Sequence, residues 1–184
     1  MGLHTVRHEL ENWKDILVSR CKLFTNIDTA YISNGRIVQE GGVKACLEFY
    51  EKLGSEAYEE VKSMLVFDVV IYNEDRHFGN FGVLRDNHSS ALLGAAPVFD
   101  NGLSLFNFAM PGDWKDLDSY AKMRGTAYGV SFERVCQKVM EPVQVRQLQG
   151  LIGFAFQCRP KLNLPEECLT AIERHVQKHG YASS

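Results

Sequence analysis

Asn73-Glu74-Asp75-Arg76-His77-Phe78-Gly79-Asn80 is followed, after two strand-like runs, by Val98-Phe99-Asp100-Asn101-Gly102. An Asp and an Asn five residues apart in a polar loop, then a second Asp closing an apolar approach, supply what phosphoryl transfer from a nucleotide asks of a protein. That reaction needs a carboxylate to orient the incoming hydroxyl and accept its proton, and oxygen ligands for magnesium on the phosphates. Magnesium prefers oxygen donors and keeps waters, so one carboxylate, one amide oxygen and phosphate oxygens suit it. Asn101-Gly102 forms a turn that lets the Asp100 carboxylate face a cleft. A lone D-x-x-x-x-N is a weak signal, because Asp and Asn are ordinary turn and cap residues. The long apolar stretch before the loop, the two strands and the second Asp before Asn-Gly give the combination its weight.

Working outward, Ser55 with Glu59 nearby predicts the start of a helix that runs to about Tyr72 and delivers the chain into the polar loop 73–80. Phe81 to Arg85 and Ala91 to Phe99 are predicted strands joined by Asp86-Asn87-His88-Ser89. Upstream, Leu3, Val6, Leu10, Trp13 and Leu17 recur at three- and four-residue steps and predict an amphipathic helix over 3–16. A strand-like run, Ile16 to Phe24, follows, then a short hairpin around Asn34-Gly35. Gly41-Gly42 breaks the chain before a helix over Val43 to Leu53, which Gly54 stops. Residues 107–130 read as irregular. Helices are predicted over 131–140, 142–157 and 165–179, with Pro165 at a first helical position and Gly180 as a stop. Strands early and helices late make the fold class α+β.

The 184 residues hold one domain, or one and a fragment, and a 45% hydrophobic content supplies a real core. A net charge of -3 with scattered basic residues argues against nucleic acid or an anionic membrane as partner. The apolar run from Met64 is broken by Asp68, which leaves no membrane span, and no leader pattern opens the chain. Five cysteines (Cys21, Cys46, Cys136, Cys158, Cys168) without C-x-x-C spacing predict reduced thiols and a cytoplasmic setting.

N-x-D-x-H-x-x-N followed by P-x-x-D, here Asn73, Asp75, His77, Asn80, Pro97 and Asp100, resembles the HipA-like serine/threonine kinases. Phosphatidylinositol kinases and aminoglycoside or choline kinases share the D-x-H-x-x-N core. Asn73 and the Ala-Pro-Val-Phe-Asp approach favour the HipA-like group, and the His-Gly that small-molecule kinases place before the Asp is absent. The resemblance is firm over about residues 60–106. It implies a protein-kinase-like fold in which residues 1–40 are a remnant of the small lobe and hinge, and residues 41–184 the helical catalytic lobe. It implies that Asp75 orients the nucleophile, that Asn80 and Asp100 bind magnesium and the ATP phosphates, and that His77 holds loop geometry. Arg76 has two open readings: neutralising charge near Asp75 or a phosphate, as part of the ATP site, or plain solvation.

A complete kinase also needs a phosphate-covering loop and a strand lysine. Neither G-x-G-x-x-G nor G-x-x-x-x-G-K-[ST] occurs, and Lys14 has no V-A-I-K setting. Element order suggests that the chain begins just after the lysine strand, with 3–16 as the small-lobe helix and Glu9 or Glu11 as the lysine's partner. The expectation is a kinase that is weak or inactive by itself and takes a small-lobe or antitoxin-type partner chain. The alternative is a non-catalytic pseudokinase or toxin–antitoxin-type binding module. His4 and His8 share the spacing of a helical zinc pair but read better as solvated. Phe106, Phe108, Trp114 and Tyr120 line either a groove or the core, and Lys115, Lys122 and Arg124 are too few for a lipid-phosphate patch. Ser104 and Thr126 are conceivable phosphorylation sites by position alone.

Overall fold

The computed structural model describes residues 1–157, 159 and 162–181. Among them are five strands in two antiparallel sheets and seven α-helices. They form two compact units, each discontinuous in sequence: Leu3–Val61 with His77–Asp100, and Lys62–Arg76 with Met1–Gly2 and the described residues from Asn101 onward.

The first of these units opens with a correction. Residues 3–16 are no helix: β1 (His8–Trp13) and β2 (Ile16–Cys21) form a hairpin with Trp13 opposite Ile16. Lys14 and Asp15 between them have φ of 51° and 62°. A two-residue turn with both φ positive matches the twist of the strands it joins, and that turn outweighs the helical spacing of the apolar residues. Glu9 and Glu11 both pair with Arg20 across the ladder, at 3.4 and 3.2 Å, so they serve the hairpin rather than an absent lysine.

The predicted hairpin at Asn34-Gly35 is also replaced. β3 (Thr29–Ser33) runs directly into a single helical turn, α1 (Asn34–Ile37), and pairs instead with β4 (Gly82–Asp86). The Asn34 and Gly35 amides donate to the carbonyls of Phe81 and Phe78, contacts invisible to local pattern reading. Opposite Ser33, Gly82 is required: a Cβ there would lie 2.0 Å from the Ile32 carbonyl oxygen. β5 (Leu92–Ala95) completes the sheet in the order β3-β4-β5. The Val6 amide donates to the Val98 carbonyl and the Val98 amide to the His4 carbonyl, which fixes the chain just before Asp100. α2 (Gly42–Leu53) ends at Gly54, as expected, with φ 142°.

α3 (Ser55–Val70) links the two units in sequence. Ser55 lies inside it rather than capping it. From Val61 to Val70 the helix is buried at almost every position, as a central core helix must be. Its polar residues are satisfied: Lys62 pairs with Glu141 at 2.8 Å, and Ser63 accepts from Gln144 at 3.1 Å. The second unit packs α4 (Leu117–Lys122), α5 (Phe132–Val139), α6 (Pro142–Gln149) and α7 (Glu166–Tyr181) with this stretch. The segment predicted as irregular holds a 3-10 turn, Asp113–Lys115, and α4, which the Asp116 carboxylate caps by accepting from the Ser119 amide. α6 stops at Gln149, well short of 157. Gly180 is no stop either: it is buried within α7, where a Cβ would meet the Ile152 nitrogen at 3.0 Å. Cys21, Cys46, Cys136 and Cys168 are free thiols, and burial pushes Cys46 up to about 12; Cys158 lies outside the described residues. Among the described residues, no helix is long and apolar enough to cross a membrane.

Candidate active site

Asp75 is built from the end of α3. Tyr72, with φ 54°, turns the chain out of the helix, and Asn73 then makes two bonds. Its side-chain amide donates to Asp68 at 3.1 Å, and its carbonyl oxygen accepts the Asp75 amide at 3.1 Å. The Asp75 carboxylate stays half-buried. Next to it, Arg76 is buried, which removes the solvated one of its two readings. Its side chain is 1% exposed, its Nε lies 3.0 Å from Asp68 Oδ2, and its Nη2 donates to Asp68 and Asn101. Arg76 thus holds the residue after Asp100 as well as the base of α3.

Asp68 is the residue the sequence reading missed. Its signal, a single acid in the run Met64 to Val70, shows only as an interruption until Asn73 and Arg76 are seen to reach it. Burial raises its carboxyl to about 6, while the charge and hydrogen bonds of Arg76 and the Asn73 amide pull it back down. Backbone bonds complete the frame. The Glu74 amide donates to the Leu103 carbonyl at 3.3 Å and the Leu105 amide to the Ile71 carbonyl at 2.6 Å. Leu105 and Phe106 both have positive φ, near 54° and 61°, a conformation that costs non-glycine residues about 1–3 kcal/mol each. Such strain persists only where surroundings impose it, and here Phe106 is buried, stacked on Tyr72 at 4.8 Å.

The other unit carries Asn80 and Asp100. The His77 Nδ1 accepts the Gly79 amide at 3.0 Å, and the Asn80 amide donates to the His77 carbonyl at 2.9 Å. A Cβ on Gly79 would sit 2.7 Å from the His77 ring, so a side chain there would push the ring out of this place. Tyr31 Oη donates to the Gly79 carbonyl at 2.8 Å. The expected loop-holding role of His77 is the kind of work these bonds do. Asn80 is buried; Asp100 is exposed, with φ 54°. Among the described residues no group of three or more His, Cys, Asp or Glu side chains could hold a metal. A carboxylate and an amide oxygen nonetheless match the donor type of magnesium, which takes its remaining ligands from phosphate and water.

The same unit holds an open cleft of about 530 Å³. Val6, Leu23, Phe24 and Pro97 give it an apolar lining, and its charged lining residues are Arg7, Lys22 and the Arg20–Glu9 ion pair. Phe24 packs against Phe99, the neighbour of Asp100, with ring centroids 5.3 Å apart. Of the aromatics flagged in sequence, Phe106 and Tyr120 are core, Phe108 is exposed, and Trp114 is half-buried beside a second, smaller depression in the helical unit. Ser104 is buried, which removes it as an accessible phosphorylation site.

No known protein-family model matches this sequence, and no curated protein matches it. One solved structure that it resembles is described as the crystal structure of a Helicobacter pylori proinflammatory kinase, CtkA. The TM-score is 0.61 at 16% identity, over 98% of this chain and 78% of the other. At that identity the likeness speaks to architecture alone: the chain has a kinase-like fold.

Proposed function

We propose that this chain is the catalytic portion of a HipA-like kinase that moves the γ-phosphate of ATP to a hydroxyl of a protein, a serine or threonine, with magnesium. The observation that carries the reading is the buried Asp68–Arg76–Asn73 set, which holds the Asp75 loop in a chain of kinase-like fold. Asp75 orients the acceptor hydroxyl and takes its proton; Asn80 and Asp100 hold the metal, which when bound offsets charge on the phosphates. Arg76 belongs to the ATP site as a positioning residue, through Asp68 and Asn101, rather than by touching phosphate.

The apolar lining of the 530 Å³ cleft, with Arg7 and Lys22 beside it, suits a flat base joined to an anion. We assign Arg7 and Lys22 the phosphate-facing role that a strand lysine would take. Two exposed surface cations orient phosphates less well than a buried lysine under a glycine loop, and orientation is much of what such an enzyme contributes. Turnover by the isolated chain is therefore slow, and a partner chain covering the nucleotide raises it.

Calorimetric titration with ATP, with and without magnesium, alongside Asp100→Ala and Asp75→Asn, tests the reading. The expected result is magnesium-dependent binding that Asp100→Ala abolishes and Asp75→Asn keeps, with phosphate transfer in the latter lowered by about 100-fold or more. Binding that ignores magnesium and survives Asp100→Ala sinks the kinase reading and leaves a binding module on a kinase-like scaffold.

A further inference from the structure

Glu74 and Arg124 stand fifty residues apart in sequence and meet at 2.8 Å. Their side chains are 17% and 34% exposed, so the pair is sheltered on the carboxylate side. Arg124 is held twice more, its guanidinium lying 4.6 Å from the Tyr120 ring centroid and 5.6 Å from that of Phe108. Such contacts over aromatic faces restrict a long side chain that would otherwise sample many rotamers. Tyr120 is buried against Phe106, and Tyr72 Oη donates to the carbonyl of the next residue of the same helix, Ala121. Glu74 sits between Asn73 and Asp75, and its own amide is bonded to Leu103. One side chain therefore bridges the segment after Asp100, where a kinase admits its acceptor, and the residue before the proposed proton acceptor.

We propose that Arg124 is a positioning residue: through Glu74 it fixes the loop carrying Asp75, and it couples that loop to the ordering of residues 113–124. This rests on the kinase reading for the role of Asp75, but the coupling itself does not. Cutting the bridge frees both ends together. An acceptor that lodges against residues 113–124 acts on Asp75 through the same bridge.

The test is amide hydrogen exchange on the full chain, comparing wild type with Arg124→Ala, Glu74→Gln and the exchanged pair Glu74→Lys with Arg124→Glu. Each single variant is expected to speed exchange about tenfold, or about 1.4 kcal/mol, at the Glu74, Asp75, Tyr120 and Met123 amides. Ile172 and Val176, in the core of α7, should stay unchanged. The exchanged pair should return Tyr120 and Met123 to within about threefold of wild type. Unchanged exchange at those four amides, a uniform rise that includes α7, or no recovery in the exchanged pair would each overturn the proposal. Magnesium-dependent ATP binding is measured in parallel by calorimetry. A wild type that binds no ATP counts against the kinase reading, and the exchange data still decide the coupling.

Discussion

Asp68 and Arg76 illustrate how much one buried pair decides. With Arg76 1% exposed and Asp68 6%, removing either partner strands a charge in the core. Asp68→Ala should destabilise the chain by about 3–5 kcal/mol in urea unfolding. The double change Asp68→Leu with Arg76→Met should recover most of that loss, because apolar residues of similar volume replace a buried pair at little cost. It removes the acceptor of the Asn73 amide as well, so phosphate transfer should stay low in a stable protein. Recovery of both stability and transfer would deny the pair its positioning role. Gly82 is a simpler case. A methyl group 2.0 Å from the Ile32 oxygen forces β3 and β4 apart, and Gly82→Ala should lower stability by about 1–3 kcal/mol. An unchanged urea midpoint would mean that the ladder relaxes without loss.

Among the elements, the β1–β2 hairpin is the least supported. Leu10, Trp13, Ile16 and Leu17 remain exposed on it, and an isolated two-stranded ribbon is marginal in water. The turn is where stability can be added: Lys14→Asn with Asp15→Gly supplies residues that favour positive φ at both positions. Amide exchange at Glu11 and Val18 should slow by about threefold to tenfold, and no slowing would mean that the turn does not limit opening. This element also shows where sequence reading stopped. Spacing of Leu3, Val6, Leu10 and Trp13 fits a helix, and nothing in Lys14-Asp15 advertises a hairpin turn as Asn-Gly would. α2, α3 and α7 were legible because long stretches without strand alternation coincided with breakers or first-turn acids, Gly41-Gly42 and Gly54 above all. In the candidate site, the five-residue spacing of Asp75 and Asn80 was legible because it is local. Asp68 was not, since its partners lie five and eight residues on and become neighbours only once Tyr72 turns the chain. The cleft lined by Arg7 and Lys22 was hidden for the same reason.

At the scale of the whole molecule, stability depends on pH through groups of opposite sign. His175, on α7, packs edge-on to Phe106 at 4.8 Å and to Tyr72 at 6.0 Å, with His179 5.0 Å away. Burial first, then His179 and Lys178, lower its pKa to about 4 from an ordinary 6.5, against the pull of Asp118 and the Val70 carbonyl. Between those values the unfolded chain takes up a proton that the folded chain refuses. Stability from this group is complete above about pH 6.5 and is lost as pH falls toward 4, by roughly 3 kcal/mol. Asp68 works in the other direction. Its carboxyl, raised to about 6, keeps a proton in the folded chain that the unfolded chain releases above 3.8, so its contribution falls as pH rises through that window. The two slopes oppose each other across most of the same range, and the wild-type curve there should be shallow. His175→Phe separates them, since phenyl suits the ring cluster and cannot take a proton. Relative to wild type, the variant should gain stability on going from pH 7 to pH 4, read as a rising difference in urea unfolding free energy. A constant difference across that range would mean that His175 is protonated in the folded chain as readily as in the unfolded one.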